Sequence, residues 1–543
     1  MRFFRKLQTI ARILENEGLP GIRMHLRLLR LNGAMRRRYR RWLRSENSTV
    51  DLNRDPMIRA ARALSHRPLI SVLLPVYNID EPLLRKCIDS VRGQSYENWQ
   101  LCIADDFSPS PHVRRILEEY AKIDSRINVI FRAENGHISA ASNSALELAK
   151  GEFTALLDHD DQLSSDAFFW IAREIESAPD VAMIYSDEDK IDRAERRFDP
   201  AFKPDWSRDL FYSLNLVTHL SVFRTSVLRQ IGGFRLGLEG SQDYDLALRF
   251  LEQIDERKIR HVPRILYHWR AISGSVALDG GEKPYAHENA RRALRSHFER
   301  LGVAVEVSGT VNCLHRVRYP LPENVRIRVI VAGAESEREI KAFRQTSDVQ
   351  SAEFLAFKQS TWSPDDINDV GQDDVFCFVN AGLMPIGTSW LSELAGFAAT
   401  PGIGCAGAKI VGSAGETLAG GIVFGSGRAA MAHFGYPANA DGNMFRNKVI
   451  SNFSAVSAAA FAIRGDLLRQ FRRMELLDLY GIVDLCLTLR DFGYRIVHTP
   501  NAIFLADKRL RRQIKRYRPF RAVEDPFANP NLEVSDGTMF IDA

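Results

Sequence analysis

Three carboxylates fall within four positions in FTALLDHDDQL, residues 153–163: Asp158, Asp160 and Asp161, directly after five mostly apolar residues. Like charges this crowded repel, so a counter-charge must favour them at the end of a buried-looking strand. Hard divalent cations such as Mg2+ or Mn2+ prefer carboxylate oxygen, and they bind through one or two carboxylates plus a ligand's phosphates. Asp158 and Asp160 holding a metal diphosphate account for the cluster. The competing account is helix N-capping, where Asp is also favourable, and it suits Asp161 best. A second acidic pair, Asp105-Asp106 in IADDFSPS, either caps a loop or accepts hydrogen bonds from a nucleobase or ribose.

The elements that must position these groups follow a regular rhythm. LISVLLPV (69–76), WQLCIA (99–104), INVIF (127–131) and FTALL (153–157) read as strands, with helical segments between them. Apolar runs one βα unit apart indicate a parallel sheet, whose ligands bind beyond the carboxyl ends of the strands. Three of those ends carry polar residues: Tyr77-Asn78, Asp105-Asp106 and Asp158–Asp161. VAMIYSDED (181–189) and HLSVFR (219–224) read as further strands, and DYDLALRFL (243–251) as a helix. After a Pro-containing linker, RYPLPEN (318–324), a second βα series begins with VRIRVIVAG, EFLAF and DVFCFVN and closes with IVDLCLTLRDFGYRIVHTP. CFVNAGL stands where ALLDHDD stands in the first half, so the chain reads as two copies of one fold. The expected organisation is a basic helical arm (1–65), a first domain (66–318), a degenerate copy (323–505) and a basic tail (506–543).

Composition is that of a globular protein, 45% hydrophobic and 26% charged, with no apolar run long enough to cross a bilayer. The N-terminus lacks the apolar core of a signal peptide. Six scattered cysteines without a CxxC pair read as buried reduced thiols of a cytoplasmic protein. Charge is uneven. Residues 1–46 carry 13 Lys+Arg against 3 Glu, and Tyr39 and Trp42 lie among Arg36–Arg38, Arg40, Arg41 and Arg44. A basic amphipathic helix with aromatics suits an anionic membrane surface. A basic helix packed on the body, or a nucleic-acid arm, is the alternative.

PLISVLLPVYN, IADDFSPS, AENGHISAASNSALELAKGEFTALLDHDD, YSDEDK, FKPDW, SQDYDLALR and YHWR occur in that order. In this set the chain resembles the inverting family 2 glycosyltransferases of GT-A fold, especially bacterial O-antigen and rhamnosyl-type transferases. The resemblance is close over residues 66–280, and the second half with its DPFANPNL tail resembles the second module of longer relatives. It implies a nucleotide-sugar site of Pro75, Tyr77, Asn78, Asp105, Asp106 and Asp158, with Arg270 near the phosphates. It makes Asp158 and Asp160 the Asp-x-Asp metal ligands, completed by His268, and Asp243 the catalytic base. Gln242 departs from the Glu that many relatives carry before the base. The implied cofactor is Mg2+ or Mn2+. The implied donor is a UDP- or dTDP-linked sugar, and the acceptor a glycan or polyprenyl-linked glycan, with no nucleic acid. The implied location is cytoplasmic, peripheral at the inner face of the membrane.

Two rival classes are weaker. A sugar-phosphate nucleotidylyltransferase wants a Gly-rich basic loop after the first strand, which PVYNIDEP does not supply. A non-catalytic carbohydrate-binding scaffold of polysaccharide assembly has no need of Asp158, Asp160 and Asp243 together.

Overall fold

The segment LISVLLPV offers apolar side chains to both faces of its pleat, and β1 (Ile70–Val76) is buried at every position. A parallel strand covered on both faces requires this. In the computed structural model, which describes residues 2–272, 284–310, 314–366, 370–470, 473–534 and 540–541, β1 pairs in parallel with β2 (Trp99–Asp105) and β4 (Phe153–Leu156). Beyond β2 lies β3 (Ile127–Phe131), also parallel. The far half holds β5 (Gln162–Leu163), β6 (Met183–Ile191), β7 (Arg197–Ala201), β8 (Ser221–Arg224) and β9 (Ile259–Arg270). The sheet runs β3-β2-β1-β4-β8-β6-β9-β5, with β7 beside β6. Strand β8 is antiparallel to both β4 and β6, which breaks the parallel run at the middle of the sheet.

A long helix, α1 (Arg2–Ala63), precedes the sheet. Helices α2 (Glu81–Arg92), α3 (Pro111–Ile123), α4 (His137–Leu148) and α5 (Ala167–Ser177) connect its strands. On α2 the buried residues Leu84, Cys87, Ile88 and Val91 follow the spacing of a single helical face. Each large aliphatic among them contributes about 1.5–3 kcal/mol by burial. Helix α6 (Gln242–Leu251) then carries Asp243 at its first turn.

The second module repeats the order of this sheet apart from one edge strand. Its strands are β10 (Ile327–Ala332), β11 (Glu353–Phe357), β12 (Val375–Asn380), β13 (Leu383–Ile386), β14 (Ile403–Val411), β15 (Ala460–Arg464) and β16 (Arg495–Ala506). They run β11-β10-β12-β15-β14-β16-β13. That is the first order without a counterpart of β3 among the described residues, and the parallel and antiparallel senses match. Helices α7 (Trp390–Ala399) and α8 (Val483–Asp491) take the places of α5 and α6. The α/β class and the tandem duplication expected from the sequence are both present.

The terminal segments bind the modules together. Helix α1 has a break at Gly18, where φ is 64°. Tyr39 is buried and donates its hydroxyl to Asp189, and Trp42 packs edge-on against Phe202. The expectation that these two aromatics serve a membrane interface is therefore corrected. They are spent on packing the helix against the first module, while Arg36, Arg37, Arg40, Arg41 and Arg44 stay exposed. Among the described residues no helix is long and apolar enough to cross a membrane. The tail is a clasp rather than a loose loop. Asn529 is buried and its amide donates to both carboxylate oxygens of Asp187, at 3.1 and 2.9 Å, and to the Lys203 carbonyl at 2.8 Å. Cys87, Cys102, Cys377, Cys405 and Cys486 are buried free thiols, and Cys313 lies outside the described residues.

Candidate active site

The carboxyl ends of β1 and β4 open into a cavity of about 940 Å³, within the range of roughly 300–1,000 Å³ typical of small-molecule sites. Pro75, Asp158 and Asp160 line it from the sheet side, and Asp243 from α6. The loop after β4 is held from behind. The Tyr267 hydroxyl donates to Asp161 Oδ2 at 2.6 Å, and the Arg270 amide donates to Asp161 Oδ1 at 2.6 Å. Both oxygens of Asp161 are thus committed to β9, so this residue anchors the turn instead of capping a helix. With Asp161 committed, Asp158 and Asp160 are left facing the cavity.

Burial raises the Asp158 carboxyl above its ordinary range, and the charges of Asp160 and Asp243 raise it further, against the opposing influence of His219. Burial also lifts Asp161 well above the usual carboxylate range, reinforced by Asp160 and Asp158. These raised values express the crowding that the sequence displays, and the strongest opposing protein charge on Asp158 is that of His219, followed by His159. Ligand atoms of Asp158, Asp161 and His219 lie within 4.8 Å of one another. His219 Nδ1 is bonded to Glu188 Oε2 at 2.8 Å, leaving Nε2 for a ligand. Burial works against a charged His219, but Glu188 and Asp158 outweigh it and hold the pKa above the ordinary histidine value. A carboxylate fixing the tautomer of a histidine beside a second carboxylate is a common metal-ligand arrangement. Lys203, buried, donates to the carbonyls of Thr218 and His219 at 2.7 Å each and so fixes the backbone that carries the ring.

His268 is not part of this group. Tyr267 and Trp269 line the cavity, so on a strand of period two His268 points to the opposite face. There its Nδ1 bonds Asp189 Oδ1 at 2.6 Å. Burial alone would raise the Asp189 carboxyl, but His268, Arg197 and Tyr39 hold it below the usual range. Arg270 follows the same alternation. Its buried guanidinium donates to the Asp160 carbonyl at 2.7 Å and pairs with Glu195 at 2.8 Å, bracing the acidic loop from outside the cavity. Both expectations, His268 as a ligand and Arg270 beside the phosphates, are corrected by this geometry. His219 and Glu188 were missed; YSDEDK and HLSVFR contain them, and the strand reading of those segments hid them.

Asp243 is held from one side. Asn215 Nδ2 and Thr218 Oγ1 donate to its Oδ2, at 2.9 and 2.6 Å. The next acid on the helix, Asp245, is fully buried and paired with Arg235 and Arg249, so it is structural. Along the sheet edge, Asp105 ends β2 opposite Val76 of β1. Its buried Oδ1 has no hydrogen-bond partner among the described residues. With β2 two strand spacings from β4, Asp105 lies about 10 Å along the edge from the acidic loop. Asp106 instead accepts from Arg132 Nε at 2.8 Å and from the Gly136 amide at 2.9 Å, tying down the turn before α4. Tyr77 is exposed, and Asn78 adopts a φ of 45° with its side-chain Oδ1 accepting from the Ser110 hydroxyl.

Strand register aligns the second module residue by residue. Phe153 pairs with Arg224 as Val375 pairs with Arg464, so Asp158 and Asp160 correspond to Asn380 and Gly382. The pairing of Gln162 with His268 against that of Met384 with Leu505 gives the same correspondence independently. By the same counting His219 corresponds to Ala459, Glu188 to Ile410, and Asp105-Asp106 to Lys358-Gln359. Asn380 accepts from the Gly382 amide at 2.9 Å, and nearby Asp374 is locked by Arg326 at 2.7 Å. The acids of the first site are thus replaced while the sheet is kept.

Residues 71–232 match the family described as Glycosyl transferase family 2. The chain is 37% identical to the protein y4gI of Sinorhizobium fredii, covering 87% of this chain and 58% of that protein. It is 29% identical to the O-antigen biosynthesis protein RfbC of Myxococcus xanthus, covering 88% of this chain and 41% of that one. The chain therefore spans about half the length of these relatives. Among solved structures, S. aureus TarS 1-349 overlays 42% of this chain and 72% of its own, with 17% identity and a TM-score of 0.33.

Proposed function

With a first module that belongs to glycosyl transferase family 2, we propose that the protein moves a sugar from a nucleotide-diphospho-sugar to a hydroxyl of a glycan or lipid-linked glycan, with inversion at the anomeric carbon. The name of the Myxococcus relative supports a role in cell-surface polysaccharide synthesis. The observation that carries the mechanism is that Asp243 and the Asp158–His219 group face one cavity from different elements. A base on the attacking side and a charge-binding group on the leaving side are what a single displacement needs.

In this reading Asn215 and Thr218 turn Asp243 Oδ1 towards the acceptor. That oxygen takes the hydroxyl proton as the acceptor oxygen bonds to the anomeric carbon. The bond from that carbon to the diphosphate breaks, and its electron pair leaves with the nucleoside diphosphate. Asp158 and Asp160 are carboxylates of the kind that suit Mg2+ or Mn2+ and would hold the ion, with His219 Nε2 as a softer third donor. When bound, the ion supplies positive charge against the departing diphosphate. Tyr77 and the Asp105 oxygen that has no partner among the described residues would meet the nucleoside. The exposed arginines of α1 attract the protein to an anionic inner membrane face.

The test is nucleoside diphosphate release from a panel of UDP-, dTDP- and GDP-sugars, with Mn2+ or with excess chelator. Release from one class that stops on chelation supports the proposal. No release and no binding from any member contradicts the transferase reading. Full release in chelator contradicts the metal.

A further inference from the structure

The wall of the cavity is not built by the first module alone. Met444 and Phe445, from the second module, line the same cavity as Asp243. Both take left-handed backbone conformations, with φ of 49° and 58°, which for non-glycine residues costs about 1–2 kcal/mol each. Adjacent bulky residues hold such a conformation only where their surroundings over-determine it. Here they do. The Asn443 amide donates to the Phe202 carbonyl of the first module at 3.0 Å. The buried Arg446 donates to the carbonyls of Phe527 and Asn452, at 2.6 and 2.9 Å. Asn447, also buried, donates to the Pro437 and Ala440 carbonyls, at 3.0 and 2.8 Å. The tip is pinned on both sides, so Met444 and Phe445 form a fixed apolar plate.

A second observation bears on what meets that plate. His315, buried and also lining the cavity, has an Nδ1 with no hydrogen-bond partner among the described residues. Burial, with the charges of Arg291 and His287, lowers its pKa to about 4, so the ring is neutral and can accept or donate. An apolar plate sharing a cavity with the unpartnered His315 nitrogen and with Gln242, whose Oε1 accepts from the Gly240 amide at 2.8 Å, does not suit an acyl chain. It suits a sugar ring, which has an apolar face and a rim of hydroxyls.

The geometry points to the 443–447 loop of the second module as the acceptor subsite of the first, with Phe445 stacking on the acceptor sugar and His315 bonding a hydroxyl. This rests on the transferase reading above. It gives the degenerate module a part in the reaction, namely setting acceptor specificity, and explains how a copy stripped of its own acids remains useful. The aromatic ring supplies contact area at little entropic cost.

The test uses the full-length protein, Mn2+, a nucleotide-sugar that it turns over, and p-nitrophenyl glycosides as acceptors. Phe445→Ala should raise the KM of the best glycoside about tenfold, equivalent to about 1.4 kcal/mol, with the donor KM moving less than twofold. Phe445→Tyr should restore it. Asn443→Ala, which frees the anchor but keeps the ring, should move the glycoside KM in the same direction by less, and urea midpoints check that both variants fold. A glycoside KM that Phe445→Ala leaves where it was, or a donor KM that rises in step, overturns the inference while leaving the transferase reading intact. Wild-type protein that turns over no nucleotide-sugar removes both.

Discussion

Replacing Asp243 by Asn separates binding from chemistry. In the wild type both hydrogen bonds to Asp243, from Asn215 Nδ2 and Thr218 Oγ1, end on one oxygen, Oδ2. An asparagine can keep its carbonyl oxygen there and accept both. Its NH2 group then takes the place of Oδ1, so the shape survives and only the proton acceptor is lost. Alanine is a poorer choice because it strands two donors in a partly buried site, at about 1–3 kcal/mol of stability. General-base assistance is worth 10²–10⁴-fold, so turnover should fall by that factor, about 2.7–5.5 kcal/mol in the barrier. Initial rates of nucleoside diphosphate release with saturating acceptor give the loss, and calorimetric titration of donor gives binding, expected within twofold of wild type. A variant within threefold of wild-type turnover would refute the assignment. Asp245 could not then inherit the role, being locked between Arg235 and Arg249. Glu188, which also lines the cavity, would be the group to examine.

Three further outcomes follow from the geometry. Asp158→Ala should abolish the Mn2+-dependent thermal stabilisation by nucleoside diphosphate, whereas His268→Ala should keep it; the reverse pattern would restore His268 as the ligand. Asn529→Ala deprives the buried Asp187 of two hydrogen bonds and should lower stability by about 2–3 kcal/mol, read as a lower urea midpoint at constant slope; an unchanged midpoint would mean the tail is not a clasp. Burial, helped by Lys409 and Arg446, lowers His498 to about 3, and burial with the same two cations holds His433 well below its ordinary value. Both stay neutral in the fold but take up a proton once unfolded below about pH 6.5, so stability falls as pH drops from there towards 3. His498→Phe should flatten the loss between pH 6.5 and 5, measured by urea unfolding, and an equal slope in both proteins would contradict the account.

Much of this was legible in the chain because parallel strands write themselves plainly. LISVLLPV and FTALL are continuous apolar runs, and the acids beyond them had to fall on one edge of the sheet. The loss of chemistry in the second half was legible too, since Asn380 and Gly382 stand directly beyond an equally apolar strand. The placement of His268 follows a period-two signal in β9. Tyr267 and Trp269 flank it, and if they face the cavity it cannot. His219 gave less warning, since only the packing of β8 against β6 brings it to Glu188, and neither residue has a local pattern that marks it. The Asn529 clasp spans 342 residues in sequence, and the reach of the 443–447 loop into the first module depends on how two sheets dock. Neither follows from any local period.

The central claim is that one copy of a duplicated sheet keeps a nucleotide-sugar site and the other has lost it. Isothermal titration of the full chain with its preferred nucleoside diphosphate in Mn2+ measures this directly. One equivalent should bind, and binding should vanish in Asp158→Ala yet persist in the variant Asp484→Ala, which removes the exposed carboxylate at the first turn of α8 in the second module. Two equivalents, or one that survives loss of Asp158 and disappears with Asp484, would contradict it.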